Sequence, residues 1–131
     1  MKKLAHVGIC VHSVDAMIAL LESTVGVTKT SIVDMPERGQ KSAYVYVGET
    51  GFCLELMEPL GENGGTVADF LARRGEGLHH LSFRVDSVEE TVADFEAQGC
   101  RIIGKGRGVA FVHPKTAYGV LYELTDATYG T

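Results

Sequence analysis

The fold is decided by the stretch His6-Val-Gly-Ile-Cys-Val11, which returns in the second half of the chain as His80-Leu-Ser-Phe-Arg-Val85. The two stretches correspond at a constant offset of 74, and the correspondence continues through Ser13 and Ser87 into the segments that follow. Self-similarity at a fixed offset indicates that one supersecondary unit occurs more than once. We therefore predict a duplicated architecture.

Each copy of the repeat predicts a strand followed by an amphipathic helix. The β-rich stretches end at Ser13 and Ser87, and serine is a preferred helix N-cap residue. Apolar residues then recur at helical spacing, and Gly26 and Gly99 supply stop signals beyond the helices. Short β-rich runs follow each helix, at 28–34, 42–47 and 52–57 and then at 101–104, 109–113 and 120–125.

The repeated unit is therefore βαβββ, present twice. A chain of 131 residues suits one domain, 1–131, with repeat one at about 4–59 and repeat two at about 78–126. The connection at 60–77 contains a short predicted helix at 66–74. We predict the α+β class, with paired βαβββ modules that form a curled, incomplete eight-stranded barrel around a metal site.

The composition is that of an ordinary globular protein, with 45% hydrophobic and 22% charged residues and a mean hydropathy of +0.08. A net charge of -5, spread along the chain, argues against nucleic-acid binding. No run of eighteen apolar residues predicts a membrane span, and no signal-peptide pattern is evident, so we expect a cytoplasmic protein. Three widely spaced cysteines without a C-x-x-C pair are expected to be reduced and mostly buried.

Two histidines and two glutamates occupy equivalent positions in the two repeats. Side chains alternate between the faces of a strand, so His6 and His80 point away from the apolar face that packs on the helices. Glu55 and Glu123 each stand between two apolar neighbours in a strand. A buried carboxylate without a partner is costly, so each of them is expected to have a counter-charge or a metal ion.

If the two repeats are related by a pseudo-twofold axis, these four side chains converge on one point. Two imidazoles and two carboxylates suit Mn²⁺, Co²⁺, Ni²⁺, Fe²⁺ or Zn²⁺, and they leave two positions of an octahedron open. A single histidine in a strand is more often a hydrogen-bonded core residue, and it is the repetition that favours a shared metal. His79 points to the opposite face from His80 and is predicted to be a packing residue.

The chain resembles the vicinal oxygen chelate superfamily and, within it, the methylmalonyl-CoA epimerases. The similarity covers nearly the whole sequence and rests on His6-Val-Gly-Ile9, Pro36-Glu-Arg-Gly39, Leu54-Glu-Leu-Met-Glu-Pro-Leu60, the stretch Val67–His80, Phe111-Val-His-Pro-Lys115 and Gly119–Leu124. The resemblance implies a homodimer, a divalent ion, Co²⁺ in the first place, and interconversion of (2R)- and (2S)-methylmalonyl-CoA. The implied mechanism is proton transfer through a metal-stabilised enolate.

Epimerisation removes a proton from one face of the substrate and returns it on the other, which suggests two bases. We assign Glu123 as the first of these two bases. Some relatives have a glutamate at the position of Ser42, proposed there as the second base, with glutamine as a metal ligand at the position of Glu55. A serine without an adjacent base is a poor proton acceptor, so we expect Glu55 to serve as both ligand and base.

Basic residues near the motifs are the expected substrate contacts. Lys105 and Arg107 could meet CoA phosphates, although the connection at 101–108 is shorter than in typical epimerases. Lys115 could meet the substrate carboxylate, and His113 has either a substrate contact or a structural role in its turn.

Two other functions remain open on the sequence alone. A glyoxalase-I-like lyase of the same superfamily would use the same four ligands, and only the motifs favour the epimerase. A metal-free small-molecule binding or resistance protein is the non-enzymatic alternative, and retention of all four ligand-type residues weighs against it.

Overall fold

The structure is a computed structural model that describes residues 2–62, 64–106, 108–127 and 130. Its elements are, in chain order, β1 (Lys2–Cys10), α1 (Val14–Thr24), β2 (Val27–Met35), β3 (Gln40–Val47), β4 (Phe52–Pro59), α2 (Thr66–Arg74), β5 (Gly77–Val85), α3 (Val88–Ala97), β6 (Ile102–Gly106), β7 (Val109–Val112) and β8 (Tyr122–Thr125). The α+β class, the two βαβββ modules and the eight strands are confirmed. Short 3-10 turns at Pro36–Arg38 and Pro114–Thr116 were not predicted.

The chain divides into two compact units. One comprises Val7–His79, and the other comprises the residues up to His6 together with those from His80 onwards. In the first unit the strand order is β2-β3-β4-β1, and in the second it is β6-β7-β8-β5. The pairings β1–β4 and β5–β8 are parallel, while the hairpin neighbours are antiparallel, so the two units repeat the same topology.

The helices begin where the serines predicted. Ser13 Oγ accepts a hydrogen bond from the Ala16 backbone N–H at 3.1 Å, and Ser87 Oγ accepts one from Glu90 at the same distance. Each serine therefore satisfies one backbone donor that the first helical turn leaves unpaired. The three helices have 9 to 11 residues, and none in the described part of the chain is long and apolar enough to cross a membrane.

Each unit has its own apolar core, built from one face of the sheet and the helix that follows its first strand. In the first unit the core comprises Val11, Val14, Ala43, Val45 and Leu56. In the second it comprises Val92, Ala110, Val112, Ala117 and Leu124. Because strand side chains alternate, the opposite face of each sheet is left for the histidines and glutamates.

The linker helix α2 packs on the other face of the first unit. Val67 and Leu71 of α2 contact Cys10 and Met57, which lie on β1 and β4. Met57 is two residues beyond Glu55 and therefore shares its face of β4. Helix α2 thus covers the apolar continuation of the surface that carries Glu55.

The Pro36–Arg38 turn docks on this linker through glycine. Gly39 has a φ of +67°, and its carbonyl accepts a hydrogen bond from the Leu60 N–H at 2.8 Å. A Cβ atom at position 39 would collide with the carbonyl of Gly64. Both the left-handed backbone and the close approach require glycine at this position.

Candidate metal centre and active site

His6 and His80 meet in the second unit. They lie on β1 and β5, are 3% and 6% exposed, and place their Nε2 atoms 3.2 Å apart. The rings meet edge to face, with centroids 5.3 Å apart. This contact is a hydrogen bond when one Nε2 carries a proton, so metal binding there would have to displace that proton.

The backbone of Gly130 sets the tautomer of His6. The Gly130 carbonyl oxygen lies 2.6 Å from Nδ1 of His6, and because a carbonyl can only accept, Nδ1 is the protonated nitrogen. The lone pair of Nε2 then faces His80. Metal-binding histidines commonly donate their second ring N–H to a carbonyl or carboxylate in this way, which fixes the ring and its tautomer.

Glu123 completes the cluster from β8. Its partner in the parallel β5–β8 register is Ser82, whose hydroxyl donates to Glu123 Oε1 at 2.7 Å. The same oxygen lies 3.6 Å from Nε2 of His6, and the Glu123 side chain is 15% exposed. The carboxylate therefore faces both the histidine pair and a hydroxyl donor.

The three residues suit a divalent ion. One ligand atom from each of His6, His80 and Glu123 lies within 4.8 Å of the other two. Ligands about 2.1 Å from an ion are roughly 3 Å apart in neighbouring octahedral positions, close to the distances found here. Two imidazoles and one carboxylate match the donor preference of divalent transition metals. The cluster can therefore hold such an ion.

Glu55, the fourth predicted ligand, belongs to the first unit. It lies on β4, is 5% exposed and accepts a hydrogen bond from the Ser42 hydroxyl at 2.8 Å. The Gln40 side-chain amide donates in turn to Ser42 Oγ at 2.9 Å. Gln40 and Ser42 stand two residues apart on β3 and therefore share one face of the strand. This spacing of polar residues is the signal in the sequence that indicates hydrogen-bond donors beside Glu55.

The two glutamates are held from opposite sides. Glu123 accepts a hydrogen bond from Ser82 on its parallel neighbour, β5. Glu55 accepts a hydrogen bond from Ser42 on its antiparallel neighbour, β3. The residue opposite Glu55 in the parallel β1–β4 register is Gly8, which has no side chain to donate. The repeat therefore conserves a serine donor for each glutamate but not the strand that supplies it.

The two cysteines near Glu55 have thiols with raised pKa values. Burial raises the pKa of Cys10 to about 11, with a further increase from the negative charge of Glu55. Burial raises the pKa of Cys53 to about 11 as well, although a hydrogen bond with Tyr46 acts in the opposite direction. Cys100 is partly buried, and none of the three forms a disulfide. Buried, protonated thiols agree with the expectation of structural cysteines.

Lys105 and Arg107 were predicted as contacts for CoA phosphates. Lys105 is exposed on β6 and lines a cleft of about 520 Å³ that also carries Asp86, Glu89 and Asp126. Three carboxylates do not favour a phosphate at this place. Arg107 lies outside the described residues.

His113 caps the second 3-10 turn, Pro114–Thr116, and Lys115 lies within that turn. Nδ1 of His113 accepts a hydrogen bond from the Lys115 N–H at 3.1 Å, which gives the histidine a capping role. Lys115 is exposed. His79, predicted to pack rather than bind metal, meets Phe70 edge to face at 5.0 Å.

Comparison with known proteins bears out the resemblance. Residues 5–118 match the Glyoxalase/Bleomycin resistance protein/Dioxygenase superfamily. The chain is 32% identical to the mitochondrial methylmalonyl-CoA epimerase of Homo sapiens, over 95% of this chain and 74% of the human protein. It is 30% identical to the ethylmalonyl-CoA/methylmalonyl-CoA epimerase of Cereibacter sphaeroides, over 93% of this chain and 96% of that protein.

A solved structure shares the fold. The Streptomyces coelicolor methylmalonyl-CoA epimerase, as a variant in complex with 2-nitronate-propionyl-CoA, matches with a TM-score of 0.77 and 31% identity. The match covers 93% of this chain and 94% of that chain. The chain therefore belongs to the Glyoxalase/Bleomycin resistance protein/Dioxygenase superfamily and, within it, to the methylmalonyl-CoA epimerases.

Proposed function

We propose that this epimerase interconverts (2R)- and (2S)-methylmalonyl-CoA by proton transfer at the α carbon, with a divalent metal ion as cofactor. The observation that carries the proposal is the cluster of the buried His6 and His80 with the partly buried Glu123 in a chain of this family. A relative named for its action on methylmalonyl-CoA and a neighbour bound to an acyl-CoA analogue support a CoA thioester as substrate.

The cofactor proposal rests on the donor set. A divalent ion held by these residues would supply Lewis acidity that stabilises the negative charge developing on the thioester oxygen as the α proton leaves. We propose Co²⁺ as that ion, on the family resemblance, while Mn²⁺, Ni²⁺, Zn²⁺ and Fe²⁺ share the same donor preference. The chain itself provides the orientation, because the Gly130 carbonyl fixes His6 and the Ser82 hydroxyl fixes Glu123.

Proton transfer is assigned to two carboxylates. Glu123 is proposed to remove or return the α proton on one face of the substrate, with one oxygen held by Ser82. Glu55 occupies the equivalent position of the other repeat, and on that ground we propose it as the base for the opposite face and as a fourth metal ligand. Ser42 does not take this role, since its hydroxyl proton is donated to Glu55.

Substrate contacts and assembly follow the family resemblance. Lys115 is proposed to contact the substrate carboxylate because it is exposed within the 3-10 turn Pro114–Thr116. Lys105 is proposed to meet CoA phosphates, although three carboxylates line the same cleft. We also propose a homodimer that works in the cytoplasm.

Deuterium exchange at C2 tests the reaction. Protein loaded with Co²⁺ is incubated with (2R)-methylmalonyl-CoA in D₂O, and mass spectrometry follows the substrate while chiral analysis follows the (2S) epimer. We expect deuterium at C2 together with epimerisation. If neither deuterium at C2 nor the (2S) epimer forms at any enzyme concentration, the proposal is refuted. Turnover of a glutathione hemithioacetal instead would indicate the glyoxalase-I-like alternative.

Metal content tests the ligand set, with the exposed His12 as the matched control. His80→Ala removes one of the three clustered ligand atoms, and we expect its affinity for Co²⁺ to fall by more than about 100-fold, beyond the loss typical of an outer-shell change. His12→Ala should bind metal like the wild type, since that side chain lies on the surface. Equal metal content in both variants, by elemental analysis after dialysis, would refute the proposed ligands.

A further inference from the structure

Three polar residues in the first unit form one buried line. Gln40 is 7% exposed, Ser42 0% and Glu55 5%, and each is hydrogen-bonded to the next, at 2.9 Å and 2.8 Å. Burying polar groups in a sheet costs free energy that the hydrogen bonds only offset. Stability alone therefore does not explain why these three polar residues are buried here.

Hydrogen-bond chemistry gives the line a direction. A serine hydroxyl has one proton to donate, and a carboxylate can only accept. Because the Gln40 amide donates to Ser42 Oγ, the Ser42 proton points to Glu55 Oε2. Both donors are thus oriented towards the carboxylate. They hold its plane in one of the orientations that the broad terminal torsion of glutamate would otherwise allow.

In the described part of the second repeat, the position equivalent to Ser42 has no hydroxyl group. Leu56 and Leu124 are equivalent, and their partners in the antiparallel register are Ala43 and Ala110, so Ser42 corresponds to Val109. The topology of the module therefore tolerates an aliphatic side chain where Ser42 stands. Serine at this place is a feature of the Glu55 side of the chain and not a requirement of the fold.

We propose that Gln40 and Ser42 are positioning residues that fix the Glu55 carboxylate for proton transfer and metal binding. This rests on the proposed function, because it takes Glu55 as the second base. Gln40 acts through Ser42, so its effect depends on the hydroxyl being present. The same hydrogen bond explains how Glu55 serves in a chain that lacks a carboxylate at position 42.

The test compares Ser42→Ala, Gln40→Leu and the double variant with Ser31→Ala, a serine exposed on β2. Removing a partner that orients a metal ligand typically costs 10–100-fold in metal affinity or activity. We expect Ser42→Ala to lower kcat by about 10–100-fold with KM changed less than about threefold, and Gln40→Leu to lower kcat less. The double variant should be no slower than Ser42→Ala, since coupled residues are not additive. Ser42→Thr should recover activity because it retains the hydroxyl.

A second measurement separates this proposal from the function itself. The affinity of the metal-free protein for Co²⁺, measured by competition with a chromophoric chelator, requires no substrate. If the wild type fails to epimerise methylmalonyl-CoA, a tenfold weaker affinity in Ser42→Ala still supports positioning of Glu55. Wild-type kcat and wild-type metal affinity in both single variants would overturn the proposal. Additive losses in the double variant would overturn the dependence of Gln40 on Ser42.

Discussion

Removal of the Ser82 hydroxyl should weaken metal binding without disturbing the fold. Ser82 is buried, and its hydroxyl donates to Glu123 at 2.7 Å. A hydrogen bond to a charged group is worth about 1.5–3 kcal/mol. The Glu123 side chain is 15% exposed, so water replaces part of the lost interaction and the lower part of that range applies. We expect Ser82→Ala to reduce the free energy of metal binding by about 1.5–2 kcal/mol, which is a roughly 10–30-fold loss of metal affinity.

The assay is a competition titration of metal-free protein with Co²⁺ and a chromophoric chelator, together with urea unfolding of the metal-free form. Ser31→Ala is the matched control, because it removes a hydroxyl from an exposed position on β2. Its affinity should equal that of the wild type. A Ser82→Ala affinity within twofold of the wild type would refute the reasoning, since Glu123 would then not need Ser82 to bind the ion.

Two further predictions concern the scaffold. Thiols with a pKa of about 11 are only about 0.1% ionised at pH 8. Alkylation of Cys10 and Cys53 in the native protein should therefore be at least about 100-fold slower than after unfolding, as measured by peptide mapping. Rapid labelling of the native protein would contradict this prediction. Gly39→Ala should cost at least about 3 kcal/mol in urea unfolding, because its methyl group meets the Gly64 carbonyl. Gly48→Ala shares the positive φ but has open space, so a cost near 1 kcal/mol is expected there; equal costs would exclude the close approach as the cause.

Local patterns predicted the elements well. The linker helix was predicted at 66–74 and is found there, and Ser13 and Ser87 cap their helices as expected. These features depend on residues within a few positions of one another, so the sequence displays them directly. Strand ends were less accurate. β1 begins at Lys2, whereas the predicted strand begins at His6. Lys2, Lys3 and Leu4 are all exposed, so no alternation of buried and exposed residues marks the start of this strand.

Part of the site was also predictable, for a different reason. The repeat placed His80 rather than His79 opposite His6, since duplication preserves both the position and the face of a side chain. The structure brings His6, His80 and Glu123 together, and it places His79 against Phe70. The role of Glu55 as ligand and base stays a prediction.

The repeated strand sequence, at 6–11 and again at 80–85, determined by itself that the chain contains two βαβββ modules. It also determined which face of the strands carries the histidines. Only the tertiary structure decided what holds each functional side chain. The Gly130 carbonyl reaches His6 across 124 positions, and Ser42 and Ser82 approach their glutamates from different neighbouring strands. Such hydrogen bonds depend on distance in space and on strand register, which side-chain periodicity along the chain does not record.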